Sequence, residues 1–290
     1  MKIIKVNLLI LFLSLLTFSC GNQSNQKNIV DKVDVASKKL NEKIRSFKKV
    51  VTLDHHRMAK VEGVYTPPAI TTIFSNLSIN TKLIEVNQLV GLDLPYKVLC
   101  YSEPDTTEVS IAYTSSEFIL NRHKLMEKDL EAYNLIMNKV ISAFPEEMIS
   151  ETDVDGVTKD YGIVKIQSDF KFETTVQNLR DIVMAQGDTK WFADIDYQKE
   201  AKSFDIKLRP TSLLMFGGSA PGGKAMMTSP KIGLDAFCQK LLVYENEAGE
   251  VWIAYNDIVA FAELYYGEST KPQQMINQRL KMTFTKAVKN

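Results

Sequence analysis

The sequence has little cysteine and little histidine: three of each in 290 residues. Cys20, Cys100 and Cys238 lie far apart, without the spacing of a disulfide framework or a zinc site. His55, His56 and His123 are too few for a multi-histidine metal centre, and no metal or other cofactor is expected. There is no excess of charge either. Lysine plus arginine and aspartate plus glutamate stand at 35 each, with no basic cluster, so little draws the chain to a phosphate backbone and nucleic acid is not an expected partner. A Gly-x-Ser-x-Gly elbow and a Cys–His pair in a catalytic context are also absent. The longest apolar run, Leu8 to Phe18, falls short of the roughly 20 residues a membrane helix needs.

What that run does fit is an export signal. Lys2 and Lys5 precede it, and Leu16-Thr17-Phe18-Ser19-Cys20 with Gly21 follows. A small residue before a cysteine at this place resembles the lipobox of bacterial lipoproteins. The resemblance implies cleavage after residue 19, a diacylglycerol thioether on Cys20 and acylation of its amine. Several buried acyl chains hold a protein durably at a membrane. An uncleaved anchor and a plain signal peptide are the alternatives. Residues 20–28 read as a polar tether, and the expected address is the outer membrane, facing the periplasm.

The length suggests two domains, and the sequence repeats itself. Asp54 lies over Asp196, Ala59 over Ala201, Pro68 over Pro210, Lys82 over Lys224, Asp93 over Asp235 and Tyr113 over Tyr255, always at an offset of 142. We therefore read residues 29–145 as a first repeat, 146–160 as a polar linker and 161–290 as a second repeat. In the second copy, periodicity predicts strands at Ile163–Gln167, Trp191–Asp196 and Leu213–Phe216, and a hairpin of Lys240–Tyr244 with Val251–Tyr255. One helix carries Phe172, Val176, Leu179 and Val183, with Asp169 as its cap, and another follows Pro272. The first copy opens on a helix with Val33, Ala36 and Leu40 and ends on one with Leu130, Tyr133 and Met137, but shows no opening strand. The fold class is α+β: two homologous domains, each a twisted, mostly antiparallel sheet with helices packed on it.

Leu208-Arg209-Pro210-Thr211, Phe216-Gly217, Gly222, Met226 and Leu234-Asp235, with Asp54-His55, Ala59 and Leu92-Asp93-Leu94-Pro95 in the first copy, resemble the bacterial family called domain of unknown function 302. The resemblance spans most of both repeats. It implies a compact α+β domain and no agreed activity. Tyr197 stands where the family has the histidine, and Gly218-Ser219 where it has Asn-Pro.

Two motifs imitate known chemistry. Gly218 to Ala225 has the spacing of a phosphate-binding loop, but Ala225 lacks the hydroxyl that would hold magnesium and Pro221 removes an amide. We read it as a turn whose glycines supply positive φ. Asp54-His55-His56 resembles the motif of a phosphoesterase class, yet the carboxylates and histidines for two metals are missing. The polar residues shared by both copies, Asp54, Lys60, Lys82 and Asp93 with their counterparts, read first as caps and turn contacts. The candidate ligand-binding residues are Arg209, Gly222, Gly223, Lys224, Asp235, Asp54 and His55, with Arg209 suited to a carboxylate or phosphate.

The expected function is a non-catalytic envelope module that binds a small molecule or another protein. One alternative is an enzyme in the second repeat built on Arg209, Lys224 and Asp235; another is a purely structural envelope protein.

Overall fold

The computed structural model describes residues 27–290. The export signal, Cys20 and the tether up to residue 26 lie outside the described residues. Helix α1 covers 27–43, followed by β1 (Lys48–Asp54), α2 (His55–Val61), β2 (Ala69–Ser75), α3 (Leu77–Val86), β3 (Tyr96–Tyr101), β4 (Ser110–Tyr113), α4 (Ser116–His123), α5 (Glu127–Ile141) and β5 (Ile149–Glu151). The second repeat follows with β6 (Ile163–Gln167), α6 (Phe172–Met184), β7 (Lys190–Asp196), α7 (Tyr197–Lys202), β8 (Thr211–Gly217), α8 (Ser219–Met226), β9 (Gln239–Glu245), β10 (Val251–Asn256), α9 (Ile258–Tyr266) and α10 (Lys271–Val288). Short 3-10 segments at Gln88–Leu92 and Pro230–Leu234 lead into β3 and β9.

Two five-stranded sheets result, ordered β1-β2-β3-β4-β5 and β6-β10-β9-β8-β7. All pairings are antiparallel except β4 with β5. The duplication holds down to irregularities: the β1–β2 register slips between Lys49 and Val51, and the β7–β8 register slips between Trp191 and Ala193, 142 residues on. The α+β architecture of two related repeats is as the periodicity predicts.

Three local expectations are corrected. Part of the expected 146–160 linker is structure: β5 joins the first sheet beside β4, the edge place that β6 takes beside β10. The helix expected to be capped by Asp169 starts at Phe172, with Lys171 at its N-cap position and no side-chain cap, and the Asp169 carboxylate accepts from Lys289 and the Asn290 amide instead. The expected glycine turn is helix α8, and none of Gly217, Gly218, Gly222 and Gly223 has positive φ.

The repeats share their cores. In β3, Lys97, Leu99 and Tyr101 alternate with Tyr96, Val98 and Cys100, so the two sets occupy opposite faces. Ala69, Leu99, Tyr101 and Ala112 sit in an apolar cluster otherwise made of second-repeat residues such as Ile232, Leu234 and Phe237. Conversely, Ile195, Leu213, Met215 and Leu242 join the cluster of the first repeat. Pro230–Leu234 rests on β2, β3 and β4, while Gln88–Leu92 rests on β8, β9 and β10. Helix α2 crosses α8, and α7 crosses α3. Each repeat thus grips the other with the same parts.

Candidate functional site

The duplicated Asp-His and Asp-Tyr motifs open helices that reach across the boundary. Asp54 caps α2 through the Arg57 amide, and Asp196 caps α7 through the Lys199 amide, each at 2.9 Å. The next residue points inward in both copies. His55 Nε2 lies 3.0 Å from Thr71 Oγ1, which donates to the Gly233 carbonyl, and Tyr197 donates to the Gly91 carbonyl. Gly91 and Gly233 are themselves 142 apart, so His55 and Tyr197 make reciprocal contacts. At Gly91 a Cβ would sit 2.8 Å from Leu242 Cδ1, so the approach needs glycine there. Burial pulls His55 down to about 4, against the pull of Asp54, and leaves it neutral. His56 turns the other way and bonds the Thr66 carbonyl at 2.7 Å.

Between the sheets lies a sealed group of charges. Asp93 and Asp235 end the two 3-10 segments, and Lys97 and Lys240 project from β3 and β9. The sheet registers make these lysines equivalent, since Ile73 faces Lys97 and Met215 faces Lys240. One extra residue after Asp235 moves the second lysine to an offset of 143, which hides the match in a constant-offset alignment. Lys97 binds Asp235 across the boundary and stands 3.5 Å from Asp93. Arg122 donates twice from Nη1 to Asp93 at 2.9 Å and from Nη2 to Asn256 Oδ1 at 2.8 Å. The ends of α4 and α9 complete the symmetry: His123 bonds Asp93 at 2.6 Å and Tyr265 donates to Asp235.

The electrostatics follow from that arrangement. Burial pushes Asp93 upward, but Arg122, the His123 bond and Lys97 outweigh it and hold the carboxyl well below its usual range. Burial likewise acts against the charge on Lys97, and Asp235 and Asp93 overcome it. Arg122 and Lys97 already balance the two carboxylates. Lys240, 4% exposed and among the described residues with no hydrogen-bond partner for Nζ, is the additional basic group, and burial followed by Lys97 pulls it down to about 7. Its amine is chemically a base or nucleophile at neutral pH, but it is shut away from solvent.

The sequence candidates do not form one site. Asp235 belongs to the sealed cluster, Lys224 is exposed on α8, and Arg209 pairs with Glu247 at 2.8 Å before the first residue of β8. Gly223 serves helix crossing, since a Cβ there would meet the Ala59 Cβ at 2.5 Å. His55, Gly222 and Gly223 do line one cavity, of only about 20 Å³. Lys97, Arg122, His123, Lys240 and Tyr265 were not singled out from sequence as site residues. The alignment of His123 with Tyr265 at the constant offset carried the signal.

A larger groove, about 590 Å³, opens on the first repeat between Lys27, Ile29 and Val30 of α1, His56, Arg57 and Lys60 of α2, and the loop with Val64, Tyr65 and Pro68. Arg57 is held by Asp34, at 2.6 Å, and by Asp54. Among the described residues neither Lys27 nor Lys60 pairs with a carboxylate.

Residues 23–144 and 164–287 match the family described as Domain of unknown function DUF302. The chain belongs to this family. Its two DUF302 matches coincide with the two repeats of the fold. A solved relative, an uncharacterized conserved DUF302 protein from Bacillus stearothermophilus, covers 44% of this chain with 95% of its own, at 11% identity and a TM-score of 0.36. Two curated proteins named Fluoride-specific ion channel FluC 1, from Brucella suis biovar 1 and Brucella abortus biovar 1, are each 30% identical over 98 residues. That stretch is 34% of this chain and 38% and 36% of theirs, so the chain spans little more than a third of these relatives. Among the described residues no helix is long and apolar enough to cross a membrane.

Proposed function

We propose that this DUF302 protein is a lipid-anchored component of the cell envelope that binds a small anionic molecule in the groove of its first repeat, without catalysis. The observation that carries the reading is the contrast between the two sites. The charged cluster is sealed from solvent, whereas the groove is open, has the volume of a small-molecule site, and offers Lys27, Lys60 and Tyr65 over an apolar floor. The lipobox-like Leu16 to Cys20 supports the anchor, and Lys27 lies seven positions after Cys20. At roughly 3.5 Å per residue, that places the groove within about 25 Å of the lipid.

The test compares native with denatured mass for the Cys20→Ser variant purified from its natural envelope. A mass lost on denaturation from this protein, and absent from a Lys27→Ala/Lys60→Ala variant, supports the groove. An unliganded protein in both cases removes it. Lipid on Cys20 is read separately, from the mass of the N-terminal peptide of the unaltered chain.

The likeness to proteins named fluoride-specific ion channels favours a second reading, in which the chain is an accessory to ion handling at the membrane. Deleting the protein and measuring growth across a fluoride series separates this from the first reading, which predicts no fluoride phenotype.

A further inference from the structure

The internal repeat shows what is peculiar to the groove of the first copy. Leu40 and Ile44, buried on α1, play the part of Leu179 and Val183 on α6, and Ala36 that of the buried Thr175. On that alignment Val33 stands at Phe172, the residue that opens α6, and residues 27–32 of α1 are an extension without a helical counterpart. The extension supplies one wall of the groove, with Lys27, Ile29 and Val30. That wall is an addition to the repeat, made at the end of α1 nearer to Cys20.

The rim of the groove differs between the copies as well. Val61, at the end of α2, is 80% exposed, and Tyr65, whose ring meets that of His56 edge-on, is 49% exposed. Their counterparts 142 residues on are Ser203 and Lys207, which suit water; beside them Phe204, at the place of Glu62, is 39% exposed. Among the described residues the groove is lined by Lys27, Arg57 and Lys60 and by no carboxylate. The acids around it are engaged: Asp34 and Asp54 hold Arg57, and Glu62 faces Lys190 at 3.5 Å. Exposed apolar side chains set beside two lysines that pair with no carboxylate have the composition of a surface that meets a charged bilayer. There the apolar groups enter the headgroup layer and the lysines hold phosphates.

We propose that the groove and its rim are a docking surface for the bilayer that carries the Cys20 lipid, and that the occupant of the groove is the headgroup of an anionic phospholipid. This rests on the anchored, anion-binding groove proposed above and gives its ligand a chemical class. The tether permits it, because Lys27 lies seven positions after Cys20 and so stays within about 25 Å of the lipid, at roughly 3.5 Å per residue. The phosphodiester oxygens accept from the Lys27 and Lys60 ammonium groups, while Val61 and Tyr65 enter the layer beside it. The acyl chains then supply attachment, and the docked face supplies a second signal and a fixed orientation.

The experiment is co-sedimentation of the Cys20→Ser chain with vesicles of phosphatidylcholine alone and of phosphatidylcholine mixed equally with phosphatidylglycerol. The expected result is binding to the mixed vesicles that weakens with salt, and little binding to phosphatidylcholine. Lys27→Ala/Lys60→Ala is expected to weaken binding about thirtyfold, since each lysine beside a charged leaflet contributes about fivefold. Val61→Ser/Tyr65→Lys, which installs the residues of the second repeat and adds a positive charge, is expected to weaken it too, whereas charge attraction alone would strengthen it. No preference for the mixed vesicles, or binding that a folded double variant leaves unchanged, overturns the proposal. Circular dichroism shows which variants fold, and if one does not, the other decides. A soluble anion found in the groove by native mass, with the mixed vesicles left unbound, overturns the docking surface and leaves the groove reading standing.

Discussion

Lys97 of the first repeat binds Asp235 of the second in the sealed centre of the molecule, each about 1% exposed. Neither charge has water to fall back on. Removing one partner leaves the other buried and uncompensated, which typically costs about 3–5 kcal/mol, whereas replacing both by apolar groups of similar volume is far milder. Lys97→Met and Asp235→Leu are each expected to lose that much in urea denaturation, and the double variant to regain most of it. A double variant as unstable as the sum of the two would show that these residues act through other neighbours.

Lys240 makes stability depend on pH in a way that few surface groups could. Its folded value is about 7, set by burial and then by Lys97, against 10.5 for an unfolded lysine. Between these values the unfolded chain holds a proton that the folded chain has released, so stability rises with pH, by at most about 1.4 kcal/mol per unit. Lys231, also lowered by burial, adds in the same direction. Above pH 10 the buried Tyr133, Tyr197 and Tyr265, whose protons burial retains, reverse the trend. Chemical denaturation from pH 7 to 10 measures the slope, and Lys240→Met is expected to flatten it.

His55 governs the acid side. Folded, it titrates at about 4 because burial outweighs Asp54, and unfolded at 6.5. On acidification through that window only the unfolded chain takes the proton, so stability falls as pH drops from 6.5 to 4. Asp93 reinforces the loss at still lower pH, since its folded value lies well below that of an unfolded aspartate. His55→Tyr, which copies the Tyr197 of the second repeat, is expected to remove part of the dependence between pH 6.5 and 4, the rest resting on His123, which burial also pulls down. An unchanged acid profile in that variant would assign the dependence to other groups.

Gly223→Ala tests what the glycine-rich segment does for the fold. The added Cβ would lie 2.5 Å from Ala59 Cβ and 3.2 Å from Val64 Cγ1, forcing α8 away from α2 at a cost of about 1–3 kcal/mol. Thermal unfolding checks it. Ala59→Gly in the same chain should restore part of the loss, because it removes the atom that is struck.

These effects show which features were legible in the sequence. The constant offset between Asp54 and Asp196, or Asp93 and Asp235, exposed the duplication, and alternation in Ile163–Gln167 or Val251–Tyr255 gave strands, because periodicity is written locally. The charge cluster was not legible. Its members come from separate strands and helix ends that meet only after both sheets have formed, and one inserted residue before Lys240 broke the alignment with Lys97. The role of Gly223 was misread for a similar reason: sequence shows that a side chain is missing, but not that Ala59 occupies the space. Strand β5 escaped notice because its three residues pair with β4 from within a polar segment.

The shared cores lead to the last prediction. Leu99 and Tyr101 are buried among second-repeat side chains, and Leu213 and Leu242 among first-repeat ones, so neither repeat closes a core by itself. Opening the boundary would also expose Asp93, Lys97, Asp235 and Lys240 together. The two repeats are therefore expected to unfold in one cooperative transition despite the length of the chain. Calorimetry of the Cys20→Ser protein should give equal calorimetric and van't Hoff enthalpies. A polypeptide of residues 27–160 alone should be unfolded or self-associated, because its inner face would otherwise meet water. Two separable transitions would mean that the boundary contributes little and that each half stabilises itself. In that case the Asp235→Leu loss should also appear in the second transition only.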